Sequence, residues 1–200
     1  TQLATIGTKN VKLDLMDPIA SGGTTPPPVT PPPPTDQPTL SGTAGANSLT
    51  GSAGVDYIVG LGGNDVLVGL GGNDKLEGGS GNDKLYGKEG ADLLTGGTGR
   101  DIFVFDTAIS SGVDTITDFL AVDDSIQLEN AFFTGLSTGS LSSSAFYIGA
   151  AAHDSSDRVI YDKASGALFF DADGTGSVAA LQFAQLTAGT AVTRADFSII

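Results

Sequence analysis

The chain is 200 residues long, which allows one or two domains, and it contains no Cys with which a disulfide could form. It carries 23 acidic against nine basic residues, for a net charge of −14, which excludes nucleic acid as a partner and favours cations. The sequence has no apolar run of about 18 residues, so it predicts no membrane span.

The first twenty residues contain one short predicted strand. Apolar Val11, Leu13 and Leu15 alternate with polar residues, which puts them on one face of that strand. One strand does not fold alone, so residues 1–20 are interpreted as the end of an upstream domain or as a leader strand. The first ten residues have neither an apolar core nor a basic start, so we expect no export signal there.

A proline-rich segment follows. Residues 21–38 hold eight of the nine prolines of the chain. Proline fixes φ and lacks an N–H, so it favours an extended chain that does not join a sheet. Residues 21–39 are therefore predicted to form a semi-rigid linker, and a proline-motif ligand for a signalling domain is the less favoured alternative.

Residues 40–104 contain seven repeats of nine residues. Gly occupies the first and fourth positions of every repeat, in the pairs Gly42/Gly45, Gly51/Gly54, Gly60/Gly63, Gly69/Gly72, Gly78/Gly81, Gly87/Gly90 and Gly96/Gly99. The sixth position holds Asn47, Asp56, Asp65, Asp74, Asp83, Asp92 and Asp101. The eighth position is always apolar, and holds Leu49, Ile58, Leu67, Leu76, Leu85, Leu94 and Phe103.

Each repeat combines a short strand with a glycine-rich turn. The residues around the eighth position alternate polar and apolar, as in a strand with one buried face, and glycine permits the backbone angles of a tight turn. Two repeats then make one coil of about eighteen residues, and stacked coils give two parallel sheets with a column of turns on each edge. The predicted fold is all-β: a parallel β-roll of seven Gly-rich nonapeptides, followed by a carboxy-terminal β-rich domain.

The turns are predicted to bind metal. Turns eighteen residues apart lie side by side, so their carboxylates pair as Asp56/Asp74, Asp65/Asp83, Asp74/Asp92 and Asp83/Asp101, with Asn47/Asp65 as a weaker fifth pair. Backbone oxygens would come from Gly54, Gly60, Gly62, Gly63, Gly69, Gly71, Gly72, Gly78, Gly79, Gly81, Gly87, Gly90, Gly96, Gly97 and Gly99. Such an all-oxygen set suits Ca²⁺, and we expect about five ions.

The repeat resembles the nonapeptide G-G-x-G-x-D-x-U-x of the RTX (repeats-in-toxin) family, which forms a Ca²⁺-binding β-roll. The resemblance covers residues 42–104 and is nearly complete from Gly60 to Val104. The first two repeats depart from it, with Thr43-Ala44 and Ser52-Ala53 in place of glycine, so we expect them to act as caps. Residues 111–116 look like one more degenerate repeat.

Residues 105–200 lose the nine-residue period and are predicted to form a compact β domain. Strands are predicted at residues 115–119, 125–128, 145–148, 158–161, 167–171 and 178–183, the last two as a hairpin. The pair Asp123-Asp124 is interpreted as a solvated turn, and His153 as a loop residue. The end of the chain, Asp196-Phe197 followed by Ile199-Ile200, resembles an uncleaved carboxy-terminal signal for the type I secretion apparatus. Its removal is expected to leave calcium binding intact.

The resemblance implies a bacterial protein that is secreted and extracellular. No catalytic motif occurs in the sequence, so any enzymatic activity is expected in an upstream domain. The first hypothesis is a module that folds outside the cell on binding Ca²⁺ and assists type I secretion of a larger protein. The alternative is an adhesive module that binds a cell-surface polysaccharide.

Overall fold

The computed structural model describes residues 39–200, so the strand predicted in residues 1–20 and nearly all of the predicted linker lie outside the described residues. The described part is built of strands and two short 3₁₀ helices, at Ile109–Ser111 and Arg194–Asp196. The strands are β1 Leu40–Thr43, β2 Ser48–Thr50, β3 Tyr57–Gly62, β4 Val66–Gly71, β5 Lys75–Ser80, β6 Lys84–Glu89, β7 Leu93–Thr98, β8 Ile102–Phe105, β9 Asp114–Ile116, β10 Ser125–Leu128, β11 Gly139–Ser140, β12 Phe146–Ile148, β13 Val159–Asp162, β14 Ala167–Phe170, β15 Leu181–Gln185 and β16 Phe197–Ile199. Within residues 39–200 no helix has the length and hydropathy of a membrane span.

Strands β1 to β8 form the predicted parallel roll. Odd strands lie in one sheet and even strands in the other, and each pairs with the strand two further along the chain. The offset is eighteen residues, as in Ile58↔Leu76 of β3 and β5 and Leu67↔Leu85 of β4 and β6. The prediction of an all-β fold with a parallel β-roll is therefore confirmed.

The core of the roll consists of the apolar residues at the eighth position. Six of them have no exposed surface, and they come alternately from the two sheets: Ile58, Leu67, Leu76, Leu85, Leu94 and Phe103. Each such burial contributes about 1.5–3 kcal/mol. Leu49, in the first repeat, is only partly buried because no further coil covers it in the described part of the chain.

The two sheets continue beyond the repeats. β9 pairs with β7 at an offset of 22 residues and β10 with β8 at an offset of 23, so together they make one more coil with longer turns. β15 then pairs in parallel with β9, and β16 with β10. The domain boundary predicted between residues 104 and 105 stays a prediction, but both sheets cross it.

In the carboxy-terminal half, β10 has the predicted bounds Ser125–Leu128, and β14 and β15 form the predicted antiparallel hairpin. The predicted strand at 178–183 begins only at Leu181, and β16 was not among the predicted strands. The core here is aromatic: Phe133 makes edge-on contacts with Phe170 and Phe183, with ring centroids 5.2 and 5.1 Å apart.

Two exposed leucines adopt backbone angles that favour glycine. Leu61 has φ +75° and Leu70 has φ +81°, and both occupy the second position of a repeat. Leu61 lies in register with Gly79, which has φ +108°. In these repeats the second position therefore lies in the left-handed region, where a side chain costs roughly 1–2 kcal/mol.

Replacing Leu61 with Gly is expected to raise the free energy of unfolding by up to about 1 kcal/mol, since relief of strain exceeds the entropy that Gly adds to the unfolded chain. Leu61 is 52% exposed, so little burial is lost. Denaturant unfolding in saturating calcium would measure the change. Leu93, which is 37% exposed and does not have a positive φ, is the control. The strain argument fails if Leu61→Gly and Leu93→Gly lower stability equally.

Candidate metal centre

The predicted site residues line the two edges of the roll, where two further aspartates, Asp114 and Asp124, join them. The first edge, formed by the turns that leave the odd strands, holds Asn47, Asp65, Asp83, Asp101 and Asp124. The second edge, formed by the turns that leave the even strands, holds Asp56, Asp74, Asp92 and Asp114. All eight aspartates are buried, with exposed fractions between 1% and 8%.

Hydrogen bonds connect neighbouring aspartates along each edge into a ladder. The backbone N–H of Asp56 donates to Oδ1 of Asp74 at 2.8 Å, and that of Asp74 donates to Oδ1 of Asp92 at 2.8 Å. On the first edge, the N–H of Asp65 donates to Oδ1 of Asp83 at 2.7 Å. One oxygen of each carboxylate is thus fixed by the turn beside it, which sets the direction of the other oxygen.

That other oxygen, Oδ2, is buried without a hydrogen-bond partner in five of the aspartates: Asp65, Asp74, Asp83, Asp92 and Asp101. Leaving a charged oxygen buried and unpaired is costly. A carboxylate oxygen can act only as an acceptor, so each of these five atoms requires a hydrogen-bond donor, a proton or a cation beside it. These five atoms therefore define where a cation would be bound.

Glycine creates the space beside these oxygens. A Cβ on Gly69 would contact Asp74 Oδ2 and would lie 2.7 Å from the carbonyl oxygen of Gly87, in the next coil. The same arrangement recurs at Gly60, with Asp65 Oδ2 and the Gly78 carbonyl, and at Gly78, with Asp83 Oδ2 and the Gly96 carbonyl. We call each of these three arrangements a cradle. Each cradle brings a carboxylate and a carbonyl oxygen together, and the donor set fits Ca²⁺.

The first two repeats differ, because a Thr or Ser already donates hydrogen bonds to the side-chain oxygen of the sixth position. The N–H and hydroxyl of Ser52 donate to Oδ2 of Asp56 at 2.6 and 2.8 Å. The N–H and hydroxyl of Thr43 donate to Oδ1 of Asn47 at 2.6 and 3.2 Å. Asn47 and Asp56 as metal ligands stay predictions, and the hydrogen bonds give these two residues a capping role.

The electrostatics of the ladders follow from this difference. Burial raises the pKa of Asp74 to about 6 and that of Asp92 to about 7. Burial together with the charge of Asp92 raises the pKa of Asp114 to about 8. At Asp56 burial also acts upward, but the hydrogen bonds from Ser52 prevail and lower its pKa. The negative charges of Asp74, Asp92 and Asp114 are therefore poorly stabilised, whereas Ser52 stabilises that of Asp56.

These pKa values predict that protons partly replace the cation. Folded-state values of about 6 to 8 exceed the ordinary 3.8, so the metal-free fold holds protons that the unfolded chain has lost. Its stability is present near pH 4 and is lost as the pH rises towards 8. In chelator, the β signal in circular dichroism is expected to be larger at pH 5 than at pH 8, and a signal that grows with pH would contradict this.

Filling one cradle tests the geometry. Gly60→Ala is expected to abolish the binding of one ion and to lower the free energy of unfolding by more than about 1.4 kcal/mol. One bound ion contributes this amount when the free calcium concentration is about ten times the dissociation constant. The matched control is Gly45→Ala, because a Cβ there meets nothing within 4 Å. Calorimetric calcium titration of both variants measures the change, and equal stoichiometry in the two would count against the cradle.

Three aspartates beyond the repeats also join the edges. Asp101 N–H donates to Oδ1 of Asp124 at 3.0 Å, and Asp92 N–H donates to Oδ1 of Asp114 at 3.0 Å. The carboxylate of the third, Asp118, accepts hydrogen bonds from the backbone N–H groups of Gly96 and Gly97. The prediction of a solvated turn is wrong for Asp124, which is 7% exposed. Offsets of 22 and 23 residues hide these positions from a nine-residue search, although Asp114 lies in the predicted degenerate repeat.

Outside the edges, His153, Asp154 and Asp157 place one ligand atom each within 4.8 Å of one another. His153 and Asp154 are exposed, and Oδ2 of Asp157 accepts the backbone N–H groups of both, at 2.6 and 2.9 Å. These bonds close a surface loop, which agrees with the interpretation of His153 as a loop residue.

Comparison with known protein families finds a match over the repeats. The family model of the RTX calcium-binding nonapeptide repeat (4 copies) matches residues 39–67 and 68–103. No curated protein matches the chain.

Solved structures similar to the chain include two subunits of the Azotobacter vinelandii mannuronan C5-epimerase. The AlgE6R3 solution structure is 25% identical, with 82% of this chain and 81% of that chain covered and a TM-score of 0.29. The AlgE6R2 solution structure is 24% identical, with 80% and 91% covered and a TM-score of 0.33.

Proposed function

We propose that this chain, whose residues 39–103 are RTX calcium-binding nonapeptide repeats, is a module that folds on binding Ca²⁺ outside the cell and assists type I secretion of a larger extracellular protein. The proposal gives the chain a binding role, and any catalysis would belong to an upstream domain. It also makes the protein extracellular and gives it the type I secretion apparatus as a partner.

One observation carries the proposal: five buried, unpartnered carboxylate oxygens along two edges. Asp65, Asp74 and Asp83 would hold ions together with the carbonyl oxygens of the facing glycines, and Asp92 and Asp101 would hold the ions at the ends. About five ions are thus expected. Bound Ca²⁺ would supply the positive charge that none of the described ion pairs gives these aspartates.

Such sites couple metal binding to folding. The two oxygens of a cradle come from turns of adjacent coils, so the site exists only when the coils are stacked. Binding free energy then becomes folding free energy. Extracellular calcium modules have dissociation constants of about 10⁻⁴–10⁻³ M, so the repeats would stay unfolded at cytosolic calcium and fold outside.

The end of the chain fits export before folding. Asp196 and Phe197, at the start of the motif that resembles a secretion signal, are 7% and 3% exposed in the folded chain. Oδ2 of Asp196 accepts the N–H of Thr193 at 2.7 Å, which caps the 3₁₀ helix before β16. A receptor that recognises these side chains would therefore engage the unfolded chain.

Secretion from a host that carries a type I apparatus tests the proposal. Phe197→Ala is expected to reduce the secreted fraction, whereas Phe183→Ala is not. Both side chains are almost fully buried, at 3% and 2% exposure, so both variants destabilise the fold, but only one changes the motif. Equal secretion of the two variants would contradict a signal at Phe197.

The alternative of a polysaccharide-binding module stays a prediction. Sugar rings commonly stack on exposed aromatic faces, but the tyrosines of the roll are covered by lysines. Lys75 Nζ lies 4.1 Å from the ring centroid of Tyr57, and Lys84 and Lys88 each lie 5.2 Å from that of Tyr86. No described aromatic row favours this alternative.

A further inference from the structure

The last cradle of the first edge lies between Gly96 and Asp101, and no glycine of a further repeat faces it. At the inner cradles, the carbonyl of Gly78 or Gly96 faces the oxygen of Asp65 or Asp83. After Gly96 the chain leaves the nonapeptide period. The residue in register with Gly96 is Asp118, because Leu94 pairs with Ile116 and the hydroxyls of Thr95 and Thr117 lie 2.8 Å apart.

Asp118 places its carboxylate against this cradle. Its Oδ1 accepts the N–H of Gly96 at 3.0 Å, and its Oδ2 accepts the N–H of Gly97 at 2.8 Å. A Cβ on the same Gly96 would contact Oδ2 of Asp101, which has no hydrogen-bond partner. Asp101 is 1% exposed, so a buried and unpartnered carboxylate oxygen lies beside a second carboxylate.

A third carboxylate adds to the same charge. Asp124 is 7% exposed, and its two oxygens accept the N–H groups of Asp101 at 3.0 Å and Leu120 at 2.9 Å. Asp124 and Asp118 both act electrostatically on Asp101. None of the ion pairs within residues 39–200 includes any of the three. This corner of the roll therefore holds three acidic groups and no paired base.

We propose that Asp101, Asp118 and Asp124 form the terminal calcium site of the first edge, in which Asp118 takes the place of the glycine carbonyl of the inner sites. The inference rests on the proposed calcium binding, but it adds two residues that lie outside the nonapeptide repeats. More carboxylates increase affinity for Ca²⁺, so this site fills at a lower calcium concentration than the inner sites. It also joins the last repeat to β10, so binding there orders the roll and residues 105–200 together.

Calorimetric calcium titration of the full chain and of Asp118→Asn tests the inference. The wild-type chain is expected to bind about five ions, and the variant to lose the tightest of them or to bind it about tenfold or more weakly, with the others unchanged. The control is Asp123→Asn, which removes the charge of an exposed neighbour that is not a proposed ligand, and it is expected to change the titration much less than Asp118→Asn. Unchanged number and affinity in Asp118→Asn would overturn the inference.

The outcomes separate this inference from the proposed function. A wild-type chain that binds no calcium would overturn the proposed function itself, whereas identical titrations of wild type and Asp118→Asn would overturn only the terminal site. If Asp118→Asn does not fold in saturating calcium, Asp118→Glu decides. An Asp118→Glu variant that folds and binds the full number of ions supports the carboxylate as a ligand. An Asp118→Glu variant that also fails to fold overturns the inference.

Discussion

Chelation of calcium is expected to remove most of the β signal of this chain in far-ultraviolet circular dichroism. In the metal-free state the ladders stack buried carboxylates eighteen residues apart with five unpartnered oxygens, and glycine-rich chain loses more entropy on folding than other chain. Because the two sheets run on into the carboxy-terminal half, loss of the roll also exposes β9 and β10. The loss should therefore extend beyond residue 104.

Titration of Ca²⁺ back into the chelated chain is expected to restore the signal between about 0.1 and 10 mM. Mg²⁺ is the control, because it is smaller, requires strict octahedral geometry and gives up its water reluctantly, so it should restore little signal at the same concentration. Full β content in chelator at neutral pH would show that the hydrophobic core is sufficient without metal.

Removal of the last five residues is expected to unfold much more than the end of the chain. Phe197 and Ile199 are each 3% exposed, and β16 pairs with β10 at Ile126↔Phe197. Truncation of a buried Phe to Ala alone typically costs about 3–5 kcal/mol, and the deletion also removes a strand from the sheet. Since β10 follows Asp124 directly, calcium affinity is expected to fall as well.

The deletion therefore tests the fold and not only the signal, in contrast to the sequence-based expectation that calcium binding stays intact. Denaturant unfolding and calcium titration of the 1–195 chain measure both effects. Ser198→Ala is the matched control, because Ser198 lies in the same strand and is only half-buried, so its effect should be within about 0.5 kcal/mol. Unchanged stability and affinity of the shortened chain would show that β16 contributes nothing.

The roll was predictable because its signal is local and periodic. A period of nine residues identifies the buried residue, the turn and the carboxylate of each repeat, and the sum of two periods gives the offset seen in Leu67↔Leu85. The capping by Ser52 was only partly predictable. The sequence marks the repeat as atypical, but the donation of its hydroxyl to Asp56 depends on three-dimensional geometry.

The extension of the ladders beyond the repeats was not predictable, because the nine-residue period ends before it. Asp118 and Asp124 follow turns of irregular length, so no period points to them, and an Asp-Asp pair ordinarily indicates a solvated turn. β16 joins the sheet beside a strand some seventy residues away, as Phe197 pairs with Ile126. Non-local pairing of this kind leaves no pattern in a single sequence beyond a short apolar alternation.

Strands of the roll alternate between the two sheets, so whether a strand is odd or even in number decides the sheet to which it belongs. β9 has to arrive beside β7, and β10 beside β8, for the carboxy-terminal half to join the sheets as it does. Loss of one nonapeptide would deliver β9 to the sheet of the even strands and would separate it from its partner. Loss of two nonapeptides would shorten the roll by one coil and keep every remaining strand in its own sheet. A roll attached to a fixed end in this way changes length in steps of two repeats.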